Sequence, residues 1–149
     1  MPERIYVGAD HVGFKLKNRL VAELKKLGYE PIDVGPNQLD PADDYPDYAK
    51  PVAKAVSTGE VQRGVLTCGT GLGMSYAANR FPKVRAALAW NEQVAELSRR
   101  HGNSNLLVLP AQFVSEDQGV GILRRWLETG FEGGRHERRI EKIERKKEE

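Results

Sequence analysis

Short apolar runs alternate along this chain with segments whose apolar residues recur at helical spacing. Ile5-Tyr6-Val7 is a β-type run ending at Gly8. Phe14, Leu16, Leu20, Leu24 and Leu27 then repeat every few positions among lysines and arginines, and Gly28 stands where a C-terminal cap belongs. Pro31-Ile32-Asp33-Val34 reads as a second strand closed by Gly35-Pro36. Asn37 to Asp47, rich in Asp and Pro, reads as a loop. A helix is predicted from Asp47 to Ser57, with Pro51 in its first turn or kinking it. Gly64-Val65-Leu66-Thr67-Cys68 is continuously apolar in character, as suits a strand covered on both faces. Gly69-Thr70-Gly71-Leu72-Gly73 then turns into a helix over Met74 to Arg80. A fourth strand (Arg85 to Ala89), a fourth helix (Glu92 to Arg100) and a fifth strand (Leu106 to Leu109, ended by Pro110) follow. Gly121 to Glu128 belongs to a fifth helix. After Gly133-Gly134 a helix runs through Ile140 and Ile143 into a charged tail.

Strands that alternate with helices predict an α/β fold, with parallel strands joined by helical crossovers. The expected architecture is a single-domain αβα sandwich over residues 1–149, with a Rossmann-like parallel five-stranded sheet. Residues from about 133 to 149 would form a C-terminal helix and tail, the helix packing on a partner subunit through Ile140 and Ile143. Ligands of such folds sit at the carboxyl ends of the strands. That rule gathers Asp10, His11, Cys68 and Thr70, which follow strands one and three. His101 ends a helix and precedes strand five, at the opposite edge, so a second subunit must supply it if it joins the same site.

Composition narrows the classes. Lys and Arg number 23 against 21 Asp and Glu, a formal net charge of +2, and this balance argues against a general nucleic-acid binder. The single cysteine, Cys68, excludes an intrachain disulfide and a cysteine-based zinc cluster. No apolar run reaches the roughly 18–20 residues of a membrane span. Met1-Pro2-Glu3-Arg4 leads straight into a strand-like run, so no export signal is expected and a cytoplasmic location is. No His/Asp/Glu spacing matches a ligand set, so neither metal nor other cofactor is assigned.

The glycine-rich stretch after strand three carries the most chemistry. Three glycines in five residues let backbone N–H groups converge ahead of a helix N-terminus, a nest for a phosphate or an enediolate oxygen. Such a nest also lowers a neighbouring thiol's pKa, and the Thr70 hydroxyl can donate to the thiolate. The plainer alternative is a turn beside a buried, inert cysteine. It is not a Walker A loop, since no Gly-Lys-Ser/Thr follows. Asp10-His11 can move protons or grip a hydroxyl and a phosphate; equally, Asp10 can cap the following helix beside a solvated histidine. His101 at a helix C-terminus has an ordinary explanation in the helix dipole. Arg135 and Arg139, four apart, put two guanidinium groups on one helix face, as a phosphate dianion or a salt-bridged tail would use. Asp43-Asp44-Tyr45-Pro46-Asp47 reads as a loop rather than a metal site.

Taken in order, Gly8-Ala9-Asp10-His11, Asp44-Tyr45-Pro46, Cys68 to Ser75, Ala77 to Arg80, Leu97 to His101 and Gly133-Gly134-Arg135-His136 span essentially the whole chain. Together they resemble the type B ribose-5-phosphate isomerases, whose family also contains galactose-6-phosphate isomerase subunits. The resemblance implies metal-independent aldose–ketose isomerisation of ribose 5-phosphate and ribulose 5-phosphate through a cis-enediolate, without cofactor. It further implies a homodimer or homotetramer with shared active sites. Cys68 would be the base moving a proton between C2 and C1. Gly69, Gly71, Leu72 and Gly73 would offer backbone N–H groups to the enediolate oxygen, together with Thr70. Asp10 and His101 would open the furanose ring. His11, Arg135 and Arg139 would bind the phosphate, and Tyr45 would line the sugar pocket. The chain departs from the family at Gly102, where Asn is usual, with Asn103 as the substitute. It also departs at Gln112, where Arg is frequent, and carries Met74 where some relatives use Glu as base. Two other readings stay open: a hexose 6-phosphate isomerase acting on allose or galactose 6-phosphate, and a noncatalytic phosphosugar or nucleotide sensor.

Overall fold

The computed structural model describes residues 1–145, so the predicted end of the tail, 146–149, lies outside the described residues. Five strands form one sheet: β1 (Arg4–Ala9), β2 (Glu30–Asp33), β3 (Arg63–Cys68), β4 (Ala86–Leu88) and β5 (Leu106–Pro110). Their spatial order is β2-β1-β3-β5-β4 and every neighbouring pair is parallel. The connections are α1 (Phe14–Lys26), α2 (Pro46–Ser57), α3 (Leu72–Ala78) and α4 (Glu92–Arg100); α5 (Glu116–Glu128) and α6 (Arg135–Glu144) follow the last strand.

The alternation of side chains along each strand divides the core in two. Ile5, Val7, Val65, Leu107 and Leu109 face Leu16, Leu20 and Leu24 of α1 and Ile122, Leu123 and Trp126 of α5. Leu66, Cys68, Leu106 and Val108 face the other way, onto Val52 and Val56 of α2 and Met74 and Ala78 of α3. Cys68 therefore lies under the α2–α3 layer at the carboxyl end of the central strand.

Local signals explain most boundaries. At the end of α1, Gly28 takes φ +92°, the Gly28 N–H donates to Lys25 O (3.1 Å) and the Tyr29 N–H to Leu24 O (2.9 Å). This is the Schellman pattern expected of a glycine cap. Helix α5 starts five residues before the predicted Gly121. Ser115 Oγ accepts from the Gln118 N–H and Gln118 Oε1 accepts from the Ser115 N–H, a reciprocal capping box. Gly119, inside this helix, lets α1 approach: a Cβ there would sit 2.7 Å from Leu16 Cδ1. Pro51 falls in the second turn of α2, not the first, because the helix already begins at Pro46.

One buried charge ties α1 to the sheet. Lys17 is 1 % exposed, and its Nζ donates to both carboxylate oxygens of Asp33 (3.0 and 3.0 Å) and to Pro36 O (2.8 Å). The ammonium's three donors are thus all used. Removing only the carboxylate strands a buried cation, so Asp33→Ala is expected to cost about 3–5 kcal/mol. Lys17→Met, which removes the charge and keeps the packing, should cost clearly less. Urea denaturation midpoints check the order; equal losses would show that the ion pair is not what matters there.

Candidate active site

The turn after β3 wraps its glycines around the sulfur. Gly71 takes φ +79°, a left-handed conformation that allows the chain to double back into α3. The Ser75 N–H and hydroxyl both return to Gly71 O, at 3.1 and 2.7 Å. Backbone N–H groups of Met74, Gly71 and Thr70 face Cys68 Sγ. Cys68 itself is only 4 % exposed. The expected lowering of its pKa is corrected here: burial pushes the thiol up, Asp10 adds to that, and the amides pull it down without winning. Thr70 also differs from expectation. Its Oγ1 accepts from the Leu72 N–H at 3.1 Å, closing a small side-chain turn. The threonine stands exposed at the mouth of the site rather than buried against the sulfur.

The loop after β1 docks against the same strand end. Asp10 Oδ1 accepts from the Gly13 N–H (2.9 Å) and so ties the turn ahead of α1, but Gly13 is the N-cap and no side chain caps the helix, so the capping considered for Asp10 does not form. Thr67 Oγ1 donates to Gly13 O (2.8 Å), and a Cβ on Gly13 would lie 2.4 Å from Thr67 O. Only glycine permits this approach, which fixes Asp10 and His11 beside Cys68. Gly73 plays a comparable part for Tyr45, whose ring would be 2.3 Å from a Cβ there. Gln112, placed where relatives often carry Arg, bonds Gly69 O through its N–H (2.9 Å), so its neutral side chain borders the same turn.

Asp43 is the residue that sequence reasoning missed. Its side chain is 4 % exposed, and Oδ1 meets His11 Nδ1 at 2.7 Å and the His11 N–H at 3.2 Å. A carboxylate only accepts, so Nδ1 carries the proton and Nε2 is turned outward. The hydrogen bond to Asp43 raises the His11 pKa, partly opposed by desolvation and supported by Asp10. Nothing in the Asp-rich loop's spacing linked it to a histidine 32 positions earlier. Asp10, Asp43, Asp44, Tyr45 and Asp47 line a cleft of about 510 Å³. Carboxylates suit sugar hydroxyls but repel a phosphate, so within this chain the rim histidine is the group fit to meet one.

The remaining candidates lie elsewhere. His101 caps α4 just before β5 begins, at the amino edge of the sheet. The Glu132 N–H donates to Arg100 O (3.0 Å), which brings the start of α6 to that edge. Arg135 and Arg139 are exposed on α6. The six residues of β3 rise about 3.3 Å each, so roughly 20 Å of sheet separates His101 from Cys68. Asn103, at φ +46°, has its Oδ1 engaged by Arg99 at 3.0 Å. A Cβ on Gly102 would lie 2.9 Å from Ser98 O, which gives that departure a local cause. His101 stacks on His136 with ring centroids 4.4 Å apart, next to Glu132, a cluster that no sequence spacing announced.

An α/β sandwich with a nested thiol at one strand end and an acidic, sugar-sized cleft beside it defines the class of small metabolic enzymes that act on polar ligands. The comparisons make the class particular. The model of the Ribose/Galactose Isomerase family matches residues 5–143. The chain is 44% identical over 141 residues to ribose-5-phosphate isomerase B of Escherichia coli, covering 95% of this chain and 94% of that one. It superposes on a ribose 5-phosphate isomerase of Thermotoga maritima with TM-score 0.92 and 44% identity, over 95% of this chain and 97% of the other. On ribose-5-phosphate isomerase B of Mycoplasma genitalium with bound ribulose 5-phosphate, the TM-score is 0.93 at 42% identity, over 97% and 95% of the two chains. The chain belongs to the ribose/galactose isomerase family.

The His11–Asp43 pair makes a pH-dependent prediction. A raised pKa means the bond contributes stability fully below the ordinary histidine value of 6.5 and loses it as pH rises through the higher folded value. Imidazole resonances followed by NMR should show His11 titrating above 6.5, and Asp43→Asn should bring that midpoint down. An unchanged midpoint would mean that Asp43 does not hold the proton.

Proposed function

We propose that this chain is an aldose–ketose isomerase that interconverts ribose 5-phosphate and ribulose 5-phosphate, with Cys68 as the base. The observation that carries the reading is the thiol at the end of β3, faced by peptide amides and bordered by the acidic cleft. A proton beside a carbonyl leaves only when the oxygen's developing charge is stabilised, and one missing donor commonly costs about 2.7–4 kcal/mol. The amides of the Gly69–Gly73 turn are the donors nearest to hand. A thiol with a raised pKa is rarely ionised at neutral pH, but once ionised it is a stronger base toward carbon.

One chain alone holds too little positive charge for this work. The acidic cleft favours the sugar's hydroxyls, with Tyr45 as a wall and His11 at the phosphate end. His101, Arg135 and Arg139 would come from a second copy of the chain. Their positive charge would draw the thiol toward ionisation, balance the phosphate and leave His101 to protonate the ring oxygen while Asp10 takes the hydroxyl proton. Asn103 would add a sugar contact. Exposed apolar side chains crowd the mouth of the thiol site: Trp90 and Phe113 are 58% and 70% exposed and border a groove of about 390 Å³ with Thr70, Leu88 and Pro110. Such a patch fits a homodimer interface, of which a homotetramer would be a repeat. Ile143 of α6, 71% exposed, would add to it. The whole chain acts as one isomerase domain, and a lone unpaired cysteine suits the reducing cytoplasm. No helix among the described residues is long and apolar enough to cross a membrane.

Purified protein given ribose 5-phosphate in the presence of EDTA should form ribulose 5-phosphate, and kcat/KM should climb with pH as the thiol ionises. Allose 6-phosphate and galactose 6-phosphate assayed alongside decide between pentose and hexose. In deuterated water the wild type should place deuterium at C1 of ribulose 5-phosphate, whereas Cys68→Ala should lose exchange and turnover together while still binding substrate. A Cys68→Ala variant with near-native turnover would overturn the assignment of the base. Absence of turnover on every aldose phosphate would overturn the isomerase reading.

A further inference from the structure

The amino edge of the sheet holds a cluster that the isomerase reading uses only in part. His101 Nε2 lies 3.8 Å from Glu132 Oε2, and His136 Nε2 lies 4.0 Å from Glu132 Oε1. The three side chains' ligand-type atoms all fall within 4.8 Å of one another. Within this cluster His136 is the fixed member. Its side chain is 8% exposed, stacked under His101 at an interplanar angle of 11°, and its Nε2 is buried with no hydrogen-bond partner. A buried ring nitrogen without a partner forfeits about 1–3 kcal/mol, so its retention calls for an explanation.

A metal ion supplies one. We propose that His101, Glu132 and His136 form a binding site for a divalent transition ion, zinc above all, and that occupancy takes His101 out of ring opening. The second half rests on the isomerase reading; the first does not. Two imidazoles and one carboxylate are the donor set of a three-ligand zinc site with a water in the fourth place. Donors about 2.0–2.2 Å from a shared ion lie roughly 3.3 Å apart in a tetrahedron, so the two histidine–carboxylate separations must close by about 0.5–0.7 Å and the widest pair in the cluster by up to about 1.5 Å. His101 and Glu132 are 43% and 41% exposed and have room to make that move.

Opposing terms set the strength. Arg100 Nε already donates to Glu132 Oε2 at 2.6 Å, and Arg135 and Arg139 place further positive charge near His136. These cations repel an incoming ion, while Arg100 also orients the carboxylate as an outer partner would. The site is therefore an adjustable brake rather than a permanent structural centre. With the ion bound, His101 Nε2 has no proton to give, and the cyclic sugar stops at the ring-opening step.

The test titrates the intact protein with zinc against a chromogenic chelator, and with cobalt followed by visible absorption. One ion per chain should bind, with cobalt bands of a tetrahedral or five-coordinate N/O site. Glu132→Gln and His136→Gln should each weaken zinc by about tenfold or more. Glu132 is exposed, so its variant keeps the test sound if the buried His136→Gln fails to fold. Zinc should slow turnover of ribose 5-phosphate, EDTA should restore it, and Glu132→Gln should need correspondingly more zinc. No binding, binding unchanged in both variants, or binding that leaves turnover untouched overturns the proposal. A protein that binds zinc at this site but turns over no sugar phosphate would instead contradict the isomerase reading.

Discussion

Parallel strands joined by helices force every β-to-α turn to one edge of a sheet and every α-to-β turn to the other. This constraint organises all the chemistry of the chain. Gly8 to His11 and Cys68 to Gly73 leave strand ends at the carboxyl edge, so they meet. His101 enters a strand and α6 begins beside it, so these lie at the amino edge with the arginines. No rotamer change crosses roughly 20 Å of sheet. A thiol with amides but little positive charge therefore sits at one end of the molecule, and cations without a base sit at the other.

The electrostatics of each half make sense only in that light. Burial among α2, α3 and the central strand raises the Cys68 pKa, because the amides that face the sulfur repay only part of the loss of water. Beside it the cleft is lined by carboxylates, a surface that welcomes hydroxyls and rejects phosphate. At the far edge Arg135 and Arg139 stand in water, while Trp90 and Phe113 expose apolar surface beside the thiol site and Ile143 does so on α6. Each half lacks what the other carries, which is the physical basis of the proposed two-fold pairing of identical chains.

Much of this was legible in the residues. Five strands, the parallel sheet and the placement of Asp10, His11, Cys68 and Thr70 followed from apolar runs and the strand-end rule. So did the conflict over His101. The start of α5 was not legible, because Gly119 and Gly121 have poor helix propensity until one sees Gly119 admit Leu16 from α1 and Gly121 sit against Glu92. The sign of the thiol's shift was also hidden, since the glycine turn is local in sequence while burial comes from α2 and α3. Asp43 was passed over for a related reason: its partner is brought to it by the fold, across a loop whose own composition is ordinary. Pairings that depend on two loops meeting have no period to read.

The claim that one site is made from two chains is tested most directly by subunit complementation. Cys68→Ala and His101→Ala are each prepared inactive, then dissociated together and allowed to re-pair. Shared sites predict that a mixed dimer regains one complete site, so activity should return to roughly a quarter of wild type after random pairing. If the mixture stays as inactive as its parents although mixed dimers have formed, Cys68 and His101 do not act across a subunit boundary and the account fails.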